Sequence, residues 1–189
     1  MKALGTILGA PRGHTMRALP VVLHLAVLAW CTPLVALAPQ AADSAGQTYY
    51  GLSVGVIYGD PTRIALVPFA GQRVTPQVSL GAKLNVEALI FNALDHSTFN
   101  YGAGIFTRFH PNPLVYGQVE FDYTSIALLV AGAEERRWVP FLLVGGGVLR
   151  PVGERTAAYV EILVDLLGDP WSPYGAGQPF ISVGVGVGL

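Results

Sequence analysis

Cysteine is almost absent: among 189 residues Cys31 stands alone. A chain that loses its N-terminal segment would have none, which excludes disulfides, thiol catalysis and thiolate metal sites. Charge is scarce too. Asp, Glu, Lys and Arg make up 12%, against about 25% in ordinary soluble domains. With a net charge of −1 there is no basic excess for a nucleic-acid partner. Long hydrophobic runs are the third absence. After residue 40 nothing approaches the roughly 18 to 20 uninterrupted apolar residues of a membrane helix, although 52% of the chain is hydrophobic. High apolar content without a spanning helix is what a membrane barrel requires.

Catalytic signatures are missing as well. Gly145-Gly146-Gly147 and the alternating Gly184, Gly186 and Gly188 precede no helix and lack the spacing of a phosphate loop. No nucleophile elbow accompanies the Ser, His and Asp residues present. His96 and His110 fall at opposite ends of one segment, which excludes a shared metal. No enzyme activity, cofactor or metal is expected.

The first forty-odd residues read as a secretory signal. Met16-Arg17 supplies a start and a positive charge, Ala18 to Leu37 an apolar run, and Ala36-Leu37-Ala38 a cleavage pattern. Pro39 disfavours a cut there and moves the alternative to Ser44 or Ala45. Residues 1–15 read as an extension before a start at Met16. Leu28-Ala29-Trp30-Cys31 is similar to a lipidation box, but Trp30 is too large before the cysteine. The expected division is residues 1–45, extension plus signal, and 46–189, the barrel.

From Tyr49 onward the chain alternates. In Val78, Leu80, Ala82, Leu84, Val86, Ala88 and Ile90 every second residue is apolar, interleaved with Ser79, Gly81, Lys83, Asn85 and Glu87. A period of two puts these sets on opposite faces of one strand. Eight such segments are expected, at 49–59, 63–73, 78–91, 98–110, 114–124, 138–150, 156–166 and 179–189. Soluble strands average five or six residues, whereas a tilted strand needs about 9 to 11 to cross a bilayer. Pro68 in the second segment, and Pro140 with the glycine triplet in the sixth, suggest bulges that shift the alternation.

Connections two, four and six are tight and proline-bearing, as in Thr75-Pro76-Gln77 and Pro111-Asn112-Pro113. Connections three, five and seven, the last two at 125–137 and 168–178, are longer. Short turns at one rim and long loops at the other describe an eight-stranded antiparallel up-and-down transmembrane β-barrel. Within the fifth connection Glu134-Glu135-Arg136-Arg137 reads as a solvated loop tip.

The chain resembles the small outer-membrane β-barrels of Gram-negative bacteria, the OmpA/OmpX type. It is most similar to the family called outer membrane protein beta-barrel domain, common in Bacteroidota. Tyr50-Gly51-Leu52-Ser53-Val54-Gly55 carries the resemblance, as do Thr75 to Ala82, Trp138 to Gly147, Asp165-Leu166-Leu167 with Ser172-Pro173-Tyr174, and the ending Phe180 to Leu189. It spans the whole expected mature chain. It implies a location in the cell outer membrane, contact with outer-membrane lipid, and handling by the barrel-insertion machinery during biogenesis. It implies no catalytic residues. Leu189 stands where such barrels usually end in an aromatic residue.

The inward rows hold the candidate chemistry. Lys83, Glu120 and Glu161 fall near mid-height, Glu87, Asp122 and Asp165 nearer the loop end, and Arg108 low on the fourth strand. Unpaired charge in a closed interior is very costly. These seven residues are therefore expected to form an ion-pair network in a side-chain-filled lumen, and the protein to act in envelope integrity or surface contact. The acid excess keeps open a narrow cation-preferring channel or a small-ligand barrel. A soluble lipocalin-like barrel, with the apolar rows turned inward, is a third reading. A surface partner would meet the loops at 125–137 and 168–178.

Overall fold

The computed structural model describes residues 45–57, 62–91, 96–130, 133–172 and 179–188, with backbone alone at 57, 128–130 and 133. The expected signal segment up to residue 44, and Leu189, lie outside the described residues. Eight strands follow in chain order: β1 (Thr48–Ile57), β2 (Thr62–Arg73), β3 (Val78–Phe91), β4 (His96–Asn112), β5 (Val115–Val130), β6 (Ala133–Pro151), β7 (Thr156–Asp165) and β8 (Pro179–Val187). Each is antiparallel to the next and β8 pairs back onto β1, so the sheet closes into a barrel.

The alternation sets the faces. On β3, Ser79, Glu87 and Leu89 are buried and Lys83 half-buried, while Leu80, Leu84, Val86 and Ile90 are exposed. The same holds around the barrel, where Leu52, Ile105, Val119, Ile162 and Val183 all face outward. This is the fold of transmembrane barrels, and it is opposite to the lipocalin-like arrangement, which needs these rows inside. At the turn end, side chains bind the tight connections locally. Thr75 Oγ1 accepts from the Val78 amide at 3.0 Å, and Asn112 Oδ1 from the Leu114 amide at 2.9 Å.

Two sequence expectations are corrected. Neither Pro68 nor Pro140 makes a bulge. Leu66↔Val86 and Phe69↔Lys83 lie on one unshifted register, and only the pairings between them are lost at the residue without an N–H. Pro140 pairs with Tyr123, while the β6–β7 ladder begins only at Leu143, so among the described residues its other side has no paired strand to serve. The register shift lies instead between Phe109 and Asn112, at the turn end of β4. The second correction concerns the connection expected at 125–137. Ile126↔Arg137 through Val130↔Ala133 continue the β5–β6 ladder without a break, so this stretch is a strand hairpin that outruns its neighbours. β4 stops pairing with β5 at Tyr101↔Ser125.

Candidate functional site: the barrel interior

Toward the turn end the interior is filled by rings. Each lies over a glycine directly across the ladder: Tyr49 over Gly71, Phe69 over Gly51, Phe106 over Gly81, Tyr116 over Gly147 and Tyr159 over Gly184. A Cβ at Gly51 or Gly184 would stand inside the ring that covers it. The glycines therefore provide room for rings from the next strand rather than from the far wall. Phe69 meets Phe106 and Tyr159 edge-on, with centroids 6.0 Å apart in both pairs.

Arg108 stands among these rings. Its guanidinium carbon is 4.6 Å from the Tyr116 centroid, 4.7 Å from Phe106, 5.1 Å from Phe69 and 5.6 Å from Tyr159. Four π-faces around one cation stabilise a charge that burial would otherwise penalise. Across the lumen its Nη2 reaches Glu161 at 3.4 Å, and the Tyr116 hydroxyl donates to the same carboxylate at 2.8 Å. Arg108 Nε donates to Gln118, and Gln118 Nε2 donates to Glu120 at 2.7 Å. The last bond connects this layer to the next.

The second layer centres on Lys83, whose ammonium contacts Glu120 and stands 3.1 Å from Asp122. Asn85 Nδ2 donates to Asp122 at 2.9 Å. Higher still, Asn100 Nδ2 donates to Glu87 at 2.8 Å, while Asn100 Oδ1 accepts from the Ala127 amide at 2.9 Å. This last bond ties the overhanging hairpin to the lumen wall. Ser125, Ile126 and Ala127 are buried in succession beyond the end of the β4–β5 ladder, where side chains join β4 to the hairpin: Thr98 Oγ1 donates to Glu134 at 3.1 Å and Arg136 Nη1 to the Phe99 carbonyl at 2.9 Å.

The structure thus brings together Lys83, Glu120 and Asp122, and separately Arg108 and Glu161, with Gln118 between them. Glu87 joins through Asn100. Asp165 stands apart at the loop rim, its carboxylate accepting from the Leu142, Leu167 and Gly168 amides at 3.1 to 3.2 Å. Sequence reasoning did not single out Asn85, Asn100, Phe69 or Tyr49 for the interior. Their inward parity was readable, their partners were not. On the outer face Trp138 stacks on Tyr123 at 5.0 Å and meets Tyr101 edge-on at 5.9 Å. Arg137 lies 3.7 Å over the Trp171 ring, tying the hairpin to the last loop.

No protein-family model matches the chain, and no curated protein matches it. Solved structures do. The N-terminal β-barrel domain of Pseudomonas aeruginosa OprF is similar over 75% of this chain and 98% of that one, with a TM-score of 0.52 and 15% identity. A de novo designed transmembrane β-barrel matches at a TM-score of 0.43 and 16% identity, over 78% of this chain and 98% of its own. Neisserial surface protein A matches at 0.45 and 13%, over 76% and 95%. The likeness to the OprF domain is one of fold: a small closed barrel of this architecture.

Proposed function

We propose that this chain is an outer-membrane β-barrel of structural or interaction type, with its lumen blocked by its own side chains. The observation that carries the reading is the inversion of faces, apolar and aromatic outside, charged and paired inside. Exposed Phe99 and Phe109 lie ten residues apart on β4. At about 3.4 Å per residue and a tilt of about 40°, that is roughly 26 Å of height, close to the ~25 Å apolar band of such barrels. Membrane lipid is then the partner of the outer rows, and barrel-insertion machinery the partner during biogenesis. Membership of the OmpA/OmpX type, in its Bacteroidota form, belongs to this reading. So does surface contact through the β5–β6 hairpin and the loop at 168–178.

The Arg108 layer supports the blocked lumen, since its rings and ion pair occupy the cross-section toward the turn end. In planar bilayers the parent protein is expected to carry no steady current, and Glu120→Gln and Glu161→Gln are expected to stay silent. A cation-selective current in the parent, lost in those variants, would establish a channel instead. Heat-modifiable migration in SDS gels is expected of the folded barrel. A protein that stays soluble without detergent overturns the membrane assignment.

A further inference from the structure

Rings pack the turn-end half of the lumen, and ion pairs stand above them. A third region fits neither description. Ile126, Val139, Phe141, Leu143 and Leu163 form a buried apolar cluster on β5, β6 and β7, and Phe180 of β8 packs against it. They lie on the lumen face, where a transmembrane barrel is ordinarily polar. Pairing of buried charge does not account for them. Nor do they complete a packed core. A cavity of about 150 Å3 remains in front of them, lined by Ile126, Phe141, Leu143, Leu163 and Phe180 and reaching down to Phe69, Arg108 and Tyr159. An unfilled apolar cavity lowers stability as its volume grows, so this one is a place where a guest would be stabilising.

The lining decides the chemistry of that guest. Its charges balance, Arg63, Lys83 and Arg108 against Glu87, Asp122 and Glu161. They are also engaged. Lys83 stands 3.1 Å from Asp122, Arg108 meets Glu161 at 3.4 Å, Asn100 donates to Glu87 at 2.8 Å, and Arg63 has an interaction of its own. A guest with a charge of either sign would enter without a counter-ion, and uncompensated buried charge is very costly. The apolar cluster, by contrast, has side-chain surface with no protein atoms in front of it. Burial of apolar area and dispersion contact are what a guest gains there. The volume sets the size, because about 150 Å3 of space lined by Leu, Ile and Phe accommodates a benzene-sized body.

We propose that the loop-end half of the barrel is a binding site for a small uncharged apolar molecule about the size of benzene, held against Phe141, Leu143, Leu163 and Phe180. The ion pairs of the facing wall stay closed on one another and exclude charged guests of the same size. The site requires the folded barrel, but neither its membrane location nor its electrical silence.

The test uses the full barrel folded in detergent micelles, with toluene as probe and benzylammonium and benzoate as charged probes of similar size. Methyl NMR follows Leu143 and Leu163 in the lumen, and the exposed Leu52 and Leu84 as reporters of the micelle. Toluene is expected to shift the lumen methyls to saturation and the exposed ones only in proportion to its concentration. Both charged probes are expected to bind at least about a hundredfold more weakly, as an unpaired buried charge implies. Leu163→Trp and Gly55→Phe fill the cavity from β7 and from β1, and each should abolish the saturable shift at Leu143. Gly55 lines the cavity, and a Cβ there meets nothing nearer than the Ala65 Cβ at 3.7 Å, so the backbone can stay as it is. The heat-modifiable gel band reports whether each variant is folded. Should one variant fail that check, the other decides; should both fail, the probe series on the parent does. No saturable shift at the lumen methyls means a cavity that holds water only and overturns the proposal. A saturable shift that persists in a folded variant overturns it too, as does equal binding of a charged probe. Loss of binding in a silent barrel refutes this site alone; a conducting barrel that still binds refutes the blocked lumen alone.

Discussion

Lys83 shows how much one residue holds in this interior. Its ammonium is the cation between Glu120 and Asp122, both nearly fully buried. Removing one member of a buried pair leaves uncompensated charge, a loss of about 3–5 kcal/mol, whereas removing both sides together is often close to neutral. Lys83→Met should therefore destabilise the barrel by about 3–5 kcal/mol in urea unfolding from lipid vesicles. The combination with Glu120→Gln and Asp122→Asn should recover most of that, and equal losses in the single and triple variants would argue against the pairing. The glycines can be tested in the same way. Gly184→Ala puts a methyl group into the Tyr159 ring and should cost about 1–3 kcal/mol. Gly117→Ala meets nothing nearer than the Gly145 carbonyl at 3.8 Å and should be neutral in the same assay. Which face each of these residues takes was legible from a period of two. That Tyr159 would cover Gly184, or Lys83 reach Glu120, was not, because partners depend on the stagger between strands and alternation does not encode it.

At the scale of elements, the β5–β6 hairpin is where sequence and structure part most. Residues 125–137 lack alternation: Ile126-Ala127-Leu128-Leu129-Val130 is one apolar run, followed closely by four charges. Both features argue for a loop when strands are recognised by period. Beyond the end of the β4–β5 ladder the two-faced pattern is already lost at the start of the run, where Ser125, Ile126 and Ala127 are buried one after another. The two prolines misled in the opposite direction. Each does remove a donor, but at positions where the ladder had none to lose or could skip a step. Asn100 is the buried bridge between hairpin and wall, accepting from the Ala127 amide and donating to Glu87, beside the more exposed Thr98–Glu134 and Arg136–Phe99 bonds. Asn100→Ala should let the Ala127 amide exchange about ten- to a hundredfold faster, as loss of one buried acceptor implies, while amides near Val119 keep their protection. Unchanged exchange at Ala127 would mean that the hairpin holds its place without Asn100.

For the whole molecule, closure is the property that matters, and its weakest point can be located. Among the described residues the β1–β8 seam pairs only Tyr50 through Val54 with Val187 through Val183, whereas β5–β6 is continuous from Val115↔Val148 to Val130↔Ala133. Both seam strands are glycine-rich inside, and the rings that cover those glycines, Phe69 and Tyr159, come from β2 and β7 rather than from the seam itself. Cross-strand side-chain contact, the unit of sheet stability, is therefore thinnest where the barrel closes. Local opening follows the segments with the least packing, so amides of β1 and β8 should exchange before those of β5 and β6 in the folded protein. A covalent tie tests the cause. Leu52 and Val185 are register partners with outward side chains, and paired strands bring Cα atoms to about 4.5 or 5.5 Å, within disulfide range. Leu52→Cys with Val185→Cys, once oxidised, should slow exchange across β1 and β8 and raise the temperature at which the folded gel band disappears. A bridge at Val119 and Val144, partners in the long ladder, should leave seam exchange as it was. Were the second bridge to protect the seam equally well, opening would be global, and the seam would be no weaker than the rest of the wall.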